Sequence, residues 1–163
     1  MEAGGYRGPP DRTMAFVVDR MLGGFAKWMR IAGFDTWYSN RYSRAGLRAI
    51  SNQTGRLIIT RDTWFEAQHG IKVMVLRDNG TIGQLREFFG RFGAAPDPAR
   101  YFTRCIRCND LLIPAGSDEV RDRVPPFVLS TQRVFSRCPS CDRIYWGGTH
   151  REHMLKTLNV IGG

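Results

Sequence analysis

Cys105-Ile106-Arg107-Cys108 and Cys138-Pro139-Ser140-Cys141 contain every cysteine in the chain. Four thiolates in two such pairs are the donor set of a tetrahedral zinc site, with Zn–S bonds of about 2.3 Å and a two-residue spacer that lets one tight turn present two ligands. Asn109 and Asp142 follow the pairs, and both residue types tolerate the left-handed backbone that such turns need. Two other chemistries compete. Disulfides need an oxidising compartment, and the opening residues, rich in Gly, Pro and Arg without an apolar run, do not spell a signal peptide. A redox dithiol would follow a strand in a thioredoxin-like unit and would leave the second pair without a role. Structural zinc is therefore the expected cofactor, in a reducing, cytoplasmic setting. The 29 residues between the pairs exceed the roughly 15–20 of common spacings. That stretch is expected to carry extra structure, with strands around Glu119-Val120 and Phe127-Val128-Leu129.

A second chemistry belongs to carboxylates. Asp19 and Asp62 each close an apolar run. If both runs are strands of one parallel sheet, both acids reach the crevice outside the carboxyl ends of the strands. Such a pair suits Mg²⁺ or Mn²⁺, which is held by one or two carboxylates plus waters and substrate phosphate, and the ion can activate water for in-line attack on phosphorus. The competing account makes Asp19 a helix cap and Asp62 a turn anchor. Asp35 opens a strand and points to the opposite edge, and Asp78 stands beside the turn signal Asn79-Gly80. Glu66 is a possible third ligand, but Thr63-Trp64-Phe65-Glu66 fits a capping box, which is the preferred reading.

Positive partners are plentiful. Lys27, Arg30 and Arg61 are the candidate phosphate contacts, the first two lying three apart on one helix face. Gly23-Gly24 at the start of that helix offers amide donors to an anion. Thr149 and Glu152 form another capping box, which sets His150 and Arg151 in the first turn of a helix. Arg151 suits phosphate there; His150 suits a phosphate contact or a general acid, with simple solvation as the alternative. His153 is not needed by zinc, because four thiolates fill the shell.

The elements that position these groups follow from periodicity. Residues 15–19, 35–39, 57–60 and 72–76 read as strands; 25–32, 43–54, 63–69 and 82–92 read as helices, with Ser43 as an N-cap and Gly33, Gly55 and Gly70 as stops. Strands alternating with helices predict an α/β fold, a parallel sheet covered on both faces. Residues 94–99, with Pro96 and Pro98, read as a linker. The domains are then a flexible N-terminal extension over 1–13, a sheet domain over 14–95, and a cysteine-bearing module over 99–163 that closes with a helix over 150–158.

Composition narrows the partners. The net charge is +9, and of 24 basic residues only Lys27, Lys72 and Lys156 are lysine. Arginine forks match phosphate oxygens bidentately, so a nucleic acid is the expected partner, although a GC-rich genome also inflates arginine. No apolar run approaches a membrane span.

The order of motifs resembles the Mut7-C ribonuclease domain family, a branch of PIN-like nucleases with a zinc ribbon fused behind the catalytic part. The resemblance is carried by Val18-Asp19-Arg20-Met21-Leu22-Gly23, Lys27-Trp28-Met29-Arg30, Gly33-Phe34-Asp35-Thr36 and Gly55 to Asp62. It continues through both cysteine pairs, Arg123-Val124-Pro125-Pro126, and Tyr145-Trp146-Gly147 to His150 and Met154. It implies a PIN-like three-layer domain and divalent-metal-dependent cleavage of RNA, with Asp19 and Asp62 as the metal-binding acids. One departure stands out: where the family commonly opens its second helix with acids, this chain has Arg44-Ala45-Gly46. Two further functions are therefore carried forward, a catalytically weak or inactive RNA-binding protein and a ribbon that docks a protein partner.

Overall fold

The computed structural model describes residues 14–93 and 95–162. The expected N-terminal extension, 1–13, and the linker residue Ala94 lie outside the described residues. In chain order, β1 (Ala15–Val18) runs through a short 3₁₀ turn, Arg20–Leu22, into α1 (Gly23–Ile31). There follow β2 (Asp35–Tyr38), α2 (Arg44–Thr54), β3 (Leu57–Thr60), β4 (Val73–Val75) and α3 (Thr81–Phe92). The second part holds β5 (Ile113–Ala115), α4 (Ser117–Val120), α5 (Pro126–Thr131), β6 (Phe135–Arg137), β7 (Ile144–Trp146) and α6 (Thr149–Gly162).

The first four strands form one parallel sheet in the order β2-β1-β3-β4. Because side chains alternate along a strand, the central strands of a sheet covered on both faces are near-continuous apolar runs. Phe16, Val18, Leu57 and Ile59 face α1, α3 and α6, while Val17 and Ile58 face Leu47 of α2 and Phe65. The three-layer α/β architecture read from the sequence is the observed one. Phe88 of α3 is the hub of the larger face, its ring 5.4 Å from Phe16, 5.6 Å from Phe25 and 4.6 Å from Phe92.

Local signals set the boundaries. Ser43 Oγ accepts from the Gly46 amide at 3.1 Å, and Gly55 ends α2 in the left-handed region at φ 72°. Gly33, at φ 88°, is obligatory for a second reason: a Cβ there would lie 2.2 Å from the Arg100 carbonyl oxygen. The expected helix over 63–69 is instead a short 3₁₀ turn, Thr63–Ala67. Its N-cap is Asp62, which accepts from the Trp64 amide at 3.0 Å. The Thr63/Glu66 capping box is thereby corrected, since the Glu66 carboxylate pairs with Arg77.

The second part is a three-stranded antiparallel ribbon, β5-β6-β7. The strands expected at 119–120 and 127–129 are a correction: both stretches are helical, in α4 and α5. Val120, Val124 and Val128, spaced by four, bury a small cluster with Phe135 against the ribbon. Val120 ends α4, Val128 lies in α5 and Val124 lies in the connection between them, so three elements and not one helical repeat supply the cluster.

After the ribbon the chain returns. Met154, Leu158 and Ile161 of α6 are buried in the sheet's own core beside α3. Tyr101 joins the same cluster, so the segment after the linker is packed too.

Candidate functional site

Asp19 and Asp62 do reach a common place. The Asp19 amide donates to the Ile59 carbonyl at 2.9 Å, so β1 and β3 are still paired where β1 ends. Asp62 follows β3 by two residues, and both acids line one open cleft of about 310 Å³ with Arg20, Met21, Tyr42, Ser43, Arg44 and Leu47. Thr60, with no exposed surface, connects them. Its hydroxyl donates to Asp19 Oδ2 at 2.6 Å and accepts from the Asp62 amide at 2.9 Å. Sequence reasoning missed Thr60; the available signal was a polar residue closing the apolar run Leu57-Ile58-Ile59.

Arg44 dominates the electrostatics. As the first residue of α2 it reaches across to Asp62 with Nε on Oδ2 at 2.5 Å and Nη2 on Oδ1 at 3.1 Å. Its Cζ lies 5.0 Å from the centre of the Trp64 ring. The Arg44 hydrogen bonds hold the Asp62 carboxyl below the usual carboxylate range, and the Trp64 amide adds to this against the opposing effect of burial.

These donors do not fit a divalent ion as they stand. Both Asp62 oxygens are engaged by a cation, Glu66 is paired with Arg77, and Asp78 Oδ1 accepts from the Gly80 amide at 2.8 Å as a turn residue. Among the described residues, no three acids or histidines converge on this cleft.

The other sequence candidates scatter. Lys27 is exposed on α1, away from the cleft lining. Arg30 is the clearest correction: it is buried, and donates from Nε to the Thr36 carbonyl at 2.9 Å and from Nη1 to the Ile106 and Arg107 carbonyls at 2.8 and 2.9 Å. It ties α1 to β2 and to the first cysteine turn, and cannot face a phosphate while it does so. Arg61 reaches Asn79. His150 is exposed in the first turn of α6 and Arg151 stacks over Phe102 at 4.6 Å; neither lines the cleft. A 3₁₀ turn, Arg20–Leu22, precedes Gly23-Gly24 and moves the helical start to Arg20 beside Asp19.

The four cysteines form a second centre. Their sulfur atoms all lie within 4.8 Å of one another, with Cys105 Sγ and Cys141 Sγ 3.7 Å apart. Tetrahedral bonds of about 2.3 Å put sulfurs about 3.8 Å apart, so this group could hold a metal ion such as zinc. The two turns are built alike. The Cys108 and Cys141 amides approach Cys105 Sγ and Cys138 Sγ at 3.3 and 3.5 Å, and Asn109 and Asp142 follow at φ 72° and 59°. Hydrogen bonds, first from Tyr145, outweigh burial and bring the Cys105 thiol down to about 7. Burial and the neighbouring sulfurs push Cys108 up to about 12. Four thiols this close cannot all ionise without a cation among them.

Asn109 also welds this centre to the sheet. Its Oδ1 accepts from the Thr36 amide at 2.8 Å, and its Nδ2 donates to Asp35 Oδ1 at 2.7 Å. Asp35 is further held by Arg56 at 2.8 and 3.0 Å.

A parallel sheet with an acid-lined cleft at its carboxyl edge, fused to a four-cysteine ribbon, defines the class. The family model of the Mut7-C RNAse domain matches residues 14–158, and the chain belongs to that family. The family assignment gives it a ribonuclease-type function with RNA as substrate. No curated protein and no solved structure is significantly similar to it. No helix among the described residues is long and apolar enough to cross a membrane.

Proposed function

We propose that this protein is a ribonuclease that cleaves RNA phosphodiester bonds in the cleft between the ends of β1 and β3. The observation that carries the reading is the convergence of Asp19 and Asp62 on one cleft through the Thr60 hydroxyl. Asp19 is the reacting carboxylate: among the described residues no arginine is bonded to it, and it sits where it can take a proton from an attacking hydroxyl. Arg20 and Arg44 line the same cleft and suit the phosphate oxygens. Lys27, exposed on α1, extends the basic surface along which RNA is held. Dependence on Mg²⁺ or Mn²⁺, which the family resemblance implies, would require Asp62 to leave Arg44. The four cysteines are assigned to one structural zinc ion, a fit that the sulfur spacing supports.

The test is cleavage of single-stranded and structured RNA with Mg²⁺, with Mn²⁺ and with chelator, using the wild type and Asp19→Asn. Asp19→Asn is expected to lose at least ~100-fold in rate while keeping its melting temperature. Undiminished cleavage by that variant removes Asp19 from the chemistry. A second reading, RNA binding without cleavage, is favoured by the Arg44–Asp62 pair. It predicts salt-sensitive RNA binding and no products under any ion.

A further inference from the structure

We propose that Arg44 is the built-in cation of the Asp19/Asp62 cleft and excludes divalent ions from it. A divalent ion at this place would need the oxygens that face the cleft. Arg44 takes both oxygens of Asp62 with its Nε and Nη2, at 2.5 and 3.1 Å. Its guanidinium is held from a second side by the Trp64 ring, 5.0 Å from Cζ. The start of α2 is fixed by the Ser43 cap, so Arg44 is presented to Asp62 by a rigid element.

Charge supports the same conclusion. The charged groups lining the cleft are two acids, Asp19 and Asp62, and two arginines, Arg20 and Arg44. They cancel, so the cleft has no net negative charge to draw a dication out of water, where Mg²⁺ gives up its hydration reluctantly. An open volume of about 310 Å³ remains beside Arg44, room for a ligand much larger than an ion. The cleft is therefore suited to an oxyanion such as a phosphodiester, which a guanidinium fork binds bidentately.

This inference deepens the reading of the cleft as the RNA site but is tested without RNA, so the two can fail separately. Mn²⁺ is titrated into the zinc-loaded full chain and the free ion is followed by its paramagnetic resonance signal. The proteins compared are the wild type, Arg44→Gln and the double variant Arg44→Gln/Asp62→Asn. Because a hydrogen bond to a charged group contributes about 1.5–3 kcal/mol, Arg44→Gln is expected to bind Mn²⁺ roughly tenfold to a hundredfold more tightly than the wild type. The double variant should lose that gain. Arg44 is half-exposed at a helix start, and unchanged melting and zinc content are the check that its replacement leaves the fold intact. Equal affinity of wild type and Arg44→Gln, whether tight or undetectable, overturns the proposal. So does a double variant that binds as tightly as Arg44→Gln, because the ion would then sit elsewhere.

Discussion

Thr60 carries more of the cleft than its small hydroxyl suggests. It is fully buried, yet donates to Asp19 and accepts from the Asp62 amide. Thr60→Val keeps the shape and removes both bonds, leaving a buried carboxylate oxygen and an amide short of partners. The variant is expected to lose about 1–3 kcal/mol of stability by urea unfolding, with RNA cleavage falling along with it. Asp35 makes a second prediction at this level. Burial raises its carboxyl pKa, but the bonds from Arg56 and Asn109 outweigh this and leave it below the usual range. A carboxyl depressed on folding adds stability above its unfolded value, and that contribution disappears as pH falls through the folded one. The gap in urea midpoint between wild type and Asp35→Asn should therefore be full at pH 6 and shrink below about pH 4. A gap that does not change with pH would show that Asp35 contributes only packing. Individual residues were unevenly legible in the sequence. Asp19, Asp62 and the cysteines announced themselves by type and position. Arg30 did not, because nothing local says that the carbonyls of Ile106 and Arg107, far along the chain, will arrive to claim it.

Among the elements, α3 is the one whose loss would be felt most widely. Phe88 touches five other rings, those of Phe16, Phe25, Phe34, Phe89 and Phe92, and Phe88→Ala should cost about 3–5 kcal/mol in urea unfolding. The sequence displayed this helix and the four parallel strands well, because continuous apolar runs and capped helical repeats are local signals. It displayed the insertion between the cysteine pairs badly. Val120 and Phe127-Val128-Leu129 have strand composition, yet they lie in two short helices, α4 and α5, from which Val120 and Val128 join Val124 and Phe135 in one buried cluster. The short turn at 63–67 was likewise overread as a helix, since Asp62 supplies the cap that was sought at Thr63.

Across the whole molecule, the cysteine centre and the sheet are joined by Asn109, Asp35, Arg30 and Thr36. Stripping the proposed zinc with a chelator, or replacing Cys105 by Ser, should therefore lower the melting temperature of the entire chain in a single calorimetric transition. Two separate transitions would mean that the ribbon melts by itself. The sequence suggested a boundary near residues 95–99, but the core crosses it, with Tyr101, Met154, Leu158 and Ile161 buried against α3 and its neighbours.

That crossing has a bearing on how the protein emerges during synthesis. The apolar layer around Leu85 and Phe88 is completed by residues 154–161, which the ribosome adds more than sixty positions later. A nascent chain that already has its parallel strands must carry an uncovered greasy surface until the ribbon has passed and α6 folds back. Shelter for that surface, by a chaperone or by delayed collapse, is a requirement that the order of translation imposes on this architecture.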